Sequence, residues 1–261
     1  MSITAELLAV LPDEATVQDV RIGAFWTAVV VEQEGRRRCG LASALRGEDH
    51  HQNGHYPVRG AGWLTERSAL ELASLIHSDS LLEASIGMAT INALLEVDET
   101  ACVELNAEEV IGQRGAGKRV AIVGHFPFVQ RLRDKVGQLW VLELQPGPED
   151  LPSEAAPEVI PQADVVAITS TTLINRTCEG LLALCRPDAY VLLLGPSTPL
   201  SPVLFDYGVD LLSGVRVDDI DSVLRLVSQG ATFRQIHRGG VRLVAMASRE
   251  PGGQVSFAHS S

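Results

Sequence analysis

Apolar and polar positions follow two different rhythms along this chain. Over residues 2–11 apolar side chains recur at helical spacing (Ile3, Leu7, Leu8, Leu11) behind Ser2 or Thr4 as N-cap, which predicts a helix. Residues 17–20 and 24–32 are β-branched and aromatic runs that predict strands. Glu34-Gly35 turns the second of them back into a basic strand over 36–41, so a hairpin forms the first sheet. Residues 47–62, rich in Gly, His and polar side chains, read as a loop, and 65–76 as an amphipathic helix. Residues 80–95 predict a second helix, apolar nearly all round and therefore buried. Its polar exception is Asn92, whose amide must find partners in the core or at a site. Residues 96–112 read as polar helix or loop, and the glycine-rich 113–118 as a linker.

Beyond the linker the rhythm becomes strand, helix, strand. Short apolar runs at 119–123, 139–144, 164–169, 190–194 and 209–212 predict strands. Helices are expected over 128–136, 171–186 and 218–228, the last capped by Asp218 or Asp219, with a proline-broken connection over 150–163. Residues 241–246 suit an edge strand. The run 190–194 leads into Gly195-Pro196-Ser197-Thr198-Pro199, where Pro199 and Pro202 suit a helix entry. Repeated β–α alternation predicts a parallel, right-handed, doubly wound sheet. The expected organisation is α/β: a smaller domain over 1–112, the linker 113–118, a parallel-sheet domain over 119–248 and a flexible tail over 249–261.

Charge narrows the partners. The chain carries 21 Lys and Arg against 33 Asp and Glu, a net charge of −12. Phosphate contacts need clustered basic side chains, so neither nucleic acid nor an anionic membrane surface is an expected partner. The first residues lack a basic segment and Glu6 interrupts them, so no signal peptide is expected. No apolar run approaches the roughly 20 residues that span a bilayer. Cys39, Cys102, Cys178 and Cys185 lie far apart without a CxxC pair, which suggests reduced, buried thiols in a cytoplasmic protein.

Candidate chemistry gathers where strands end. The turns at 124–127, 170–175 and 195–198 should meet at the carboxyl edge of the sheet, each opening a helix and offering free backbone N–H groups. The hydroxyls of Ser170, Thr171, Thr172, Ser197 and Thr198 suit a carboxylate, a phosphate or a polar ring. Taken singly, each is equally an ordinary N-cap. Glu143 falls about 20 residues beyond Gly124, where dinucleotide folds keep a ribose-binding acid. The first turn, however, is Gly-His-Phe-Pro-Phe with one glycine, so NAD is not expected, and Glu143 suits another polar ligand or a cation. His125, at a strand end, is either a ligand or acid/base group or a structural hydrogen-bonder. Asp49-His50-His51 with His55 is the densest cluster of metal-ligand types, yet its spacing matches no metal motif and a solvated loop is the better reading. Cys178 and Cys185 should share the core-facing side of one helix. No GxSxG turn, P-loop or HExxH is present.

The segments EASIGMATINALL (83–95), VGHFPF (123–128), TSTTLINRT (169–177) and GPSTPLSPVLFDYGVDLLSG (195–214) together resemble the DUF364 family of putative heavy-metal chelation proteins. That family is usually preceded by a DUF4213 domain, and the resemblance runs from the first strands to about residue 248. It implies an enolase N-terminal-like α+β first domain, a Rossmann-like second domain, a site between them and a homodimer or other homo-oligomer. Carried over, the site comprises Gly124, His125, Phe126 and Pro127, then Thr171, Thr172 and Asn175, then Gly195, Pro196, Ser197 and Thr198, with Asn92 facing them. No cysteine falls in these loops, which suits an organic chelator or its complex better than direct soft-metal ligation.

Three readings follow, the blandest being an interaction module whose cleft is merely a domain interface. In the first, the interdomain cleft binds a transition or heavy metal ion or a metal–chelator complex, with His125 and Glu143 as direct ligands. In the second, the same cleft belongs to an enzyme acting on a small cofactor-like or nucleotide-like molecule, with His125 as acid/base.

Overall fold

The computed structural model describes residues 2–47 and 58–248. The Asp49-His50-His51-His55 cluster and the tail 249–261 lie outside the described residues. Strands β1 (Thr16–Ile22), β2 (Trp26–Gln33) and β3 (Arg36–Ser43) form an antiparallel sheet in sequence order. The β2–β3 turn places both Glu34 (φ 53°) and Gly35 (φ 72°) in the left-handed region, as a type I′ hairpin requires.

The second sheet has eight strands: β4 (Cys102–Val103), β5 (Arg119–Val123), β6 (Gln138–Glu143), β7 (Leu151–Pro152), β8 (Val165–Thr169), β9 (Tyr190–Leu194), β10 (Leu211–Val217) and β11 (Val241–Ala247). Their order is β4-β11-β10-β9-β8-β5-β6-β7. From β7 to β10 the pairs are parallel, while β10–β11 and β11–β4 are antiparallel. The chain leaves β5 in one direction through β6 and β7, then returns to place β8 on the other side of β5. That reversal is the switch point at which open α/β sheets leave a crevice beyond their carboxyl ends.

The helix Leu81–Leu94, opened by Ser80, has no polar face and is covered on every side. It packs on β2 and β3 and also touches the short helix Thr171–Ile174 beyond β8. One apolar cluster therefore runs unbroken from Ile3 and Val29 through Ile86 and Ile91 to Ile168 and Leu193. Gly40 of β3 lets the helix approach, since a Cβ there would fall 2.0 Å from the Ala89 carbonyl oxygen. The helix Ala107–Arg114 packs beside β8, leaving 115–118 as the turn into β5. Its Glu108 is held by Arg131 and Lys135 (3.0 Å).

Several expected elements are broken or displaced. The helix expected over 65–76 is split into a 3-10 turn (Leu64–Glu66), a helix (Ala69–Ala73) and another 3-10 turn (Ser74–His77), because Ser68 and Glu71 form a capping box that starts a new helix. The one expected over 128–136 shrinks to Val129–Leu132. That over 171–186 divides into Thr171–Ile174 and Cys178–Leu182, since Arg176 sits at φ 64° with its guanidinium on Asp79 and the His77 and Ser78 carbonyls. No helix opens directly after 195–198; the prolines lead into the 3-10 helix Pro202–Tyr207. Asp219 caps Ile220–Ser228 as expected, whereas the helix Phe233–Arg238 has no counterpart in the periodicity reading. β11 is not an edge strand, because two-residue β4 covers it. No helix among the described residues is long and apolar enough to cross a membrane.

Two outcomes test this packing. Gly40→Ala should destabilise the protein by about 3 kcal/mol or more in urea unfolding, because backbone rather than a flexible side chain blocks the added methyl. The Glu108 carboxyl is pushed down to about 2, chiefly by the hydrogen bonds from Arg131. Its contribution to stability should be fully present above the ordinary carboxylate range and be lost as the pH falls towards 2. Glu108→Gln should flatten that part of the stability–pH profile.

Candidate functional site

A cavity of about 600 Å³ opens beyond the carboxyl ends of β5, β6, β8 and β9. Its size is that of a site for a small organic molecule, not for a bare ion. The turns 124–127, 170–172 and 195–197 all line it, together with Glu143 and Asn175. Two glycines permit the turns. Gly124 (φ 98°) lies so close to Thr169 that a Cβ would sit 2.9 Å from Cγ2, and Gly195 (φ 123°) would bring one to 3.0 Å from Ser170 Oγ.

The expected helix dipoles are weak. Val129–Leu132 and Thr171–Ile174 are single turns and nothing helical follows Thr198 directly, so the rim lacks the aligned peptide units that draw anions. Many of its polar groups are already engaged. Thr172 Oγ1 donates to the Thr169 carbonyl at 2.6 Å, Thr169 and Thr171 share a hydroxyl contact at 3.0 Å, and Asn175 Oδ1 accepts from the Thr177 hydroxyl at 2.7 Å. Ser170 is different: it is 1% exposed and its Oγ has no protein partner.

Ser197 and Asn92 join the two halves of the chain. Ser43 N–H donates to Ser197 Oγ at 2.8 Å, and Asn92 Nδ2 donates to the carbonyls of Leu41 (2.9 Å) and Ser197 (3.2 Å). Neither Asn92 nor Thr198 lines the cavity; Asn92 instead pins the 195–198 turn through the Ser197 carbonyl. The turn is thus fixed against β3, and Ser43 and Trp26 of the first sheet complete the cavity wall.

At one side stand His125 and Glu143. His125 Nδ1 lies 3.3 Å from Asp150 Oδ2, an oxygen that also accepts from Gly147 N–H at 3.1 Å. A carboxylate on one imidazole nitrogen fixes the ring and leaves Nε2 for a ligand or proton. Burial pushes the Glu143 carboxyl above its usual range, against the pull of neighbouring His125, while Asp150 adds to the rise. The rest of the wall is largely apolar. Phe126 stacks on Phe128 (5.2 Å between centroids, 8° between planes), and Trp26 meets Phe233 at 5.6 Å and 55°.

Trp26, Ser43, Phe233, Glu154 and Asp150 escaped the sequence reading of the site. The first three come from outside the strand-end turns. Asp150 had a signal, the Gly147-Pro148 turn four residues after β6, but nothing in it points to His125.

The cysteines stand apart. None lines the cavity, and burial pushes the Cys39 and Cys178 thiols up to about 12 and that of Cys185 up to about 11, so none is a ready thiolate. Cys178 and Cys185 both pack on the main apolar cluster. Among the described residues no group of three or more His, Cys, Asp or Glu is placed to hold a metal ion.

Fold and cavity define an α/β protein with a crevice at the switch point of a mostly parallel sheet, closed on one side by a small antiparallel sheet. The chain belongs to the DUF364 family, described as putative heavy-metal chelation, whose model matches residues 106–246. A DUF4213 model, described in the same words, matches residues 5–95. The chain is similar to an uncharacterized protein of Methanocaldococcus jannaschii, MJ0500, with 26% identity across 92% of this chain and 93% of that protein. It also resembles the crystal structure of a DUF364 protein of unknown function from Desulfitobacterium hafniense (26% identity, TM-score 0.80, 94% of this chain and 98% of that one). A second DUF364 structure, from Pyrococcus horikoshii, shares the fold at 22% identity and TM-score 0.80, over 94% and 98% of the two chains.

The pinning role of Asn92 has a direct readout. Asn92→Leu should lower stability by about 1–3 kcal/mol in chemical unfolding, the cost of leaving buried carbonyls unpaired. A variant of unchanged stability would mean that the amide does not pin the turn.

Proposed function

We propose that the cleft binds a small organic chelator carrying a metal, with the organic part against the apolar walls and the metal reached by His125 and Glu143. The observation that carries this reading is the mismatch between cavity and donors. A space of about 600 Å³ is far larger than an ion needs, whereas His125 and Glu143 supply fewer donors than the four of a closed structural site. A chelator supplies the missing donors and fills the space. The Asp150–His125 contact supports the same assignment, since metal-bound histidines usually give their second nitrogen to a carboxylate. The family description agrees in kind.

That contact also favours a second reading, in which the cleft belongs to an enzyme and His125 transfers a proton to a bound small molecule. The readings differ in their need for metal. Untagged protein, analysed by native mass spectrometry and elemental analysis, should carry metal and an organic molecule in equal amounts. His125→Ala and Glu143→Ala should each lower metal content through a loss of affinity of at least about tenfold, since losing a ligand costs no less than losing one of its outer-shell partners. An organic molecule without metal would favour the enzyme, and unchanged metal content in both variants would remove the two ligand assignments.

A further inference from the structure

We infer that the cleft selects by charge, accepting a neutral or cationic metal complex and rejecting anionic ones. This rests on the proposed occupancy of the cleft by a metal–chelator complex and adds the sign of the complex. Among the described residues that line the cavity there is no Lys or Arg, while Glu143 and Glu154 both line it and Asp150 stands behind His125. Arg176 binds Asp79, Arg131 binds Glu108, and Arg133 lies 3.2 Å from Glu149. Arg234, next to lining Phe233, and Arg46, three residues from lining Ser43, do not themselves line the cavity. The rim turns cannot stand in for them, because their helices are single turns. A carboxylate-rich or phosphorylated ligand would therefore enter beside two carboxylates with no Lys or Arg among the described lining residues to meet it, and like charges in a partly desolvated cleft repel strongly.

The other lining groups suit an uncharged or positive molecule with polar edges. Phe126 and the Trp26–Phe233 pair offer aromatic faces, which attract cations as well as apolar rings. Two polar atoms in the wall wait for partners: Ser170 Oγ, on a residue 1% exposed, and Trp26 Nε1. Buried polar groups are rarely left unpaired, so a ligand that donates to or accepts from Ser170 would relieve one such group. Nitrogen-donor chelators such as linked pyridines or imidazoles keep the charge of the metal; polycarboxylates reverse it.

Zinc complexes of terpyridine (cationic) and of nitrilotriacetate (anionic), both of which leave zinc open sites for His125 and Glu143, titrated into the full-length protein and followed by calorimetry and tryptophan fluorescence, test the rule. The zinc–terpyridine complex should bind at least about tenfold more tightly, as expected where charge sets specificity. Glu154→Gln removes a charge from a group given no ligand role, and should narrow the gap without changing thermal stability. Glu154→Lys should narrow it further. If the nitrilotriacetate complex binds as tightly as the terpyridine complex, or more so, the charge rule falls while the cleft keeps its proposed occupant. If neither complex binds and neither changes tryptophan fluorescence, both the rule and the chelator-complex reading fall.

Discussion

The helix Leu81–Leu94 is the constraint on which the rest depends. A helix without a polar side can exist in water only if something covers each face, and here the first sheet, the helix Ala69–Ala73, the 3-10 segment before it and the short helix Thr171–Ile174 beyond β8 do so. The first sheet is too small to bury such a helix alone. The large sheet needs cover beyond β8. Sharing one helix solves both problems, and the two segments matched by separate family models become one apolar body. At Gly87 a Cβ would fall 2.2 Å from the Ile76 backbone nitrogen, so even the neighbouring chain is fitted to this helix.

The same seating sets the cavity. Because the helix holds β3 against the large sheet, Asn92 can reach two carbonyls at once, and Ser43 can meet Ser197. Residues 195–197 are then held in place as part of the cavity wall. At the switch point a doubly wound sheet always leaves a crevice; in this chain the first sheet roofs part of it with Trp26 and Ser43. A ligand there touches both family segments.

How much of this was legible in the sequence depends on the range of the forces involved. The strands could be read because buried parallel strands are continuous apolar runs, and the Glu34-Gly35 turn because its backbone demands are local. The convergence of 124–127, 170–175 and 195–198 followed from topology alone. Helix ends were harder: Arg176 breaks 171–186 by bonding to a segment almost a hundred residues earlier. The site residues that were missed are of the same kind. Nothing near Trp26 or Phe233 in sequence tells that they meet at a strand edge, and Asn92 looked like a site residue because a lone amide on an apolar helix has the same signature whether it binds a ligand or a neighbouring backbone.

The proposed occupancy also accounts for a metal held without a thiolate cluster. Cys178 is sunk in the main apolar cluster and Cys39 beside the smaller one, where burial opposes loss of the thiol proton, and so they serve packing. What the crevice offers instead is an oriented imidazole, a desolvated carboxylate and wide apolar walls. Under the proposed occupancy such a set would discriminate by the shape and charge of the whole complex, because most of the contact area would belong to the organic part. A bare ion would have to be stripped of water by two side chains, whereas a complex arrives with that desolvation already done by its own donors. The same sparse donor set that would be a defect in a dedicated ion site is therefore compatible with capture and release of a ready-made complex.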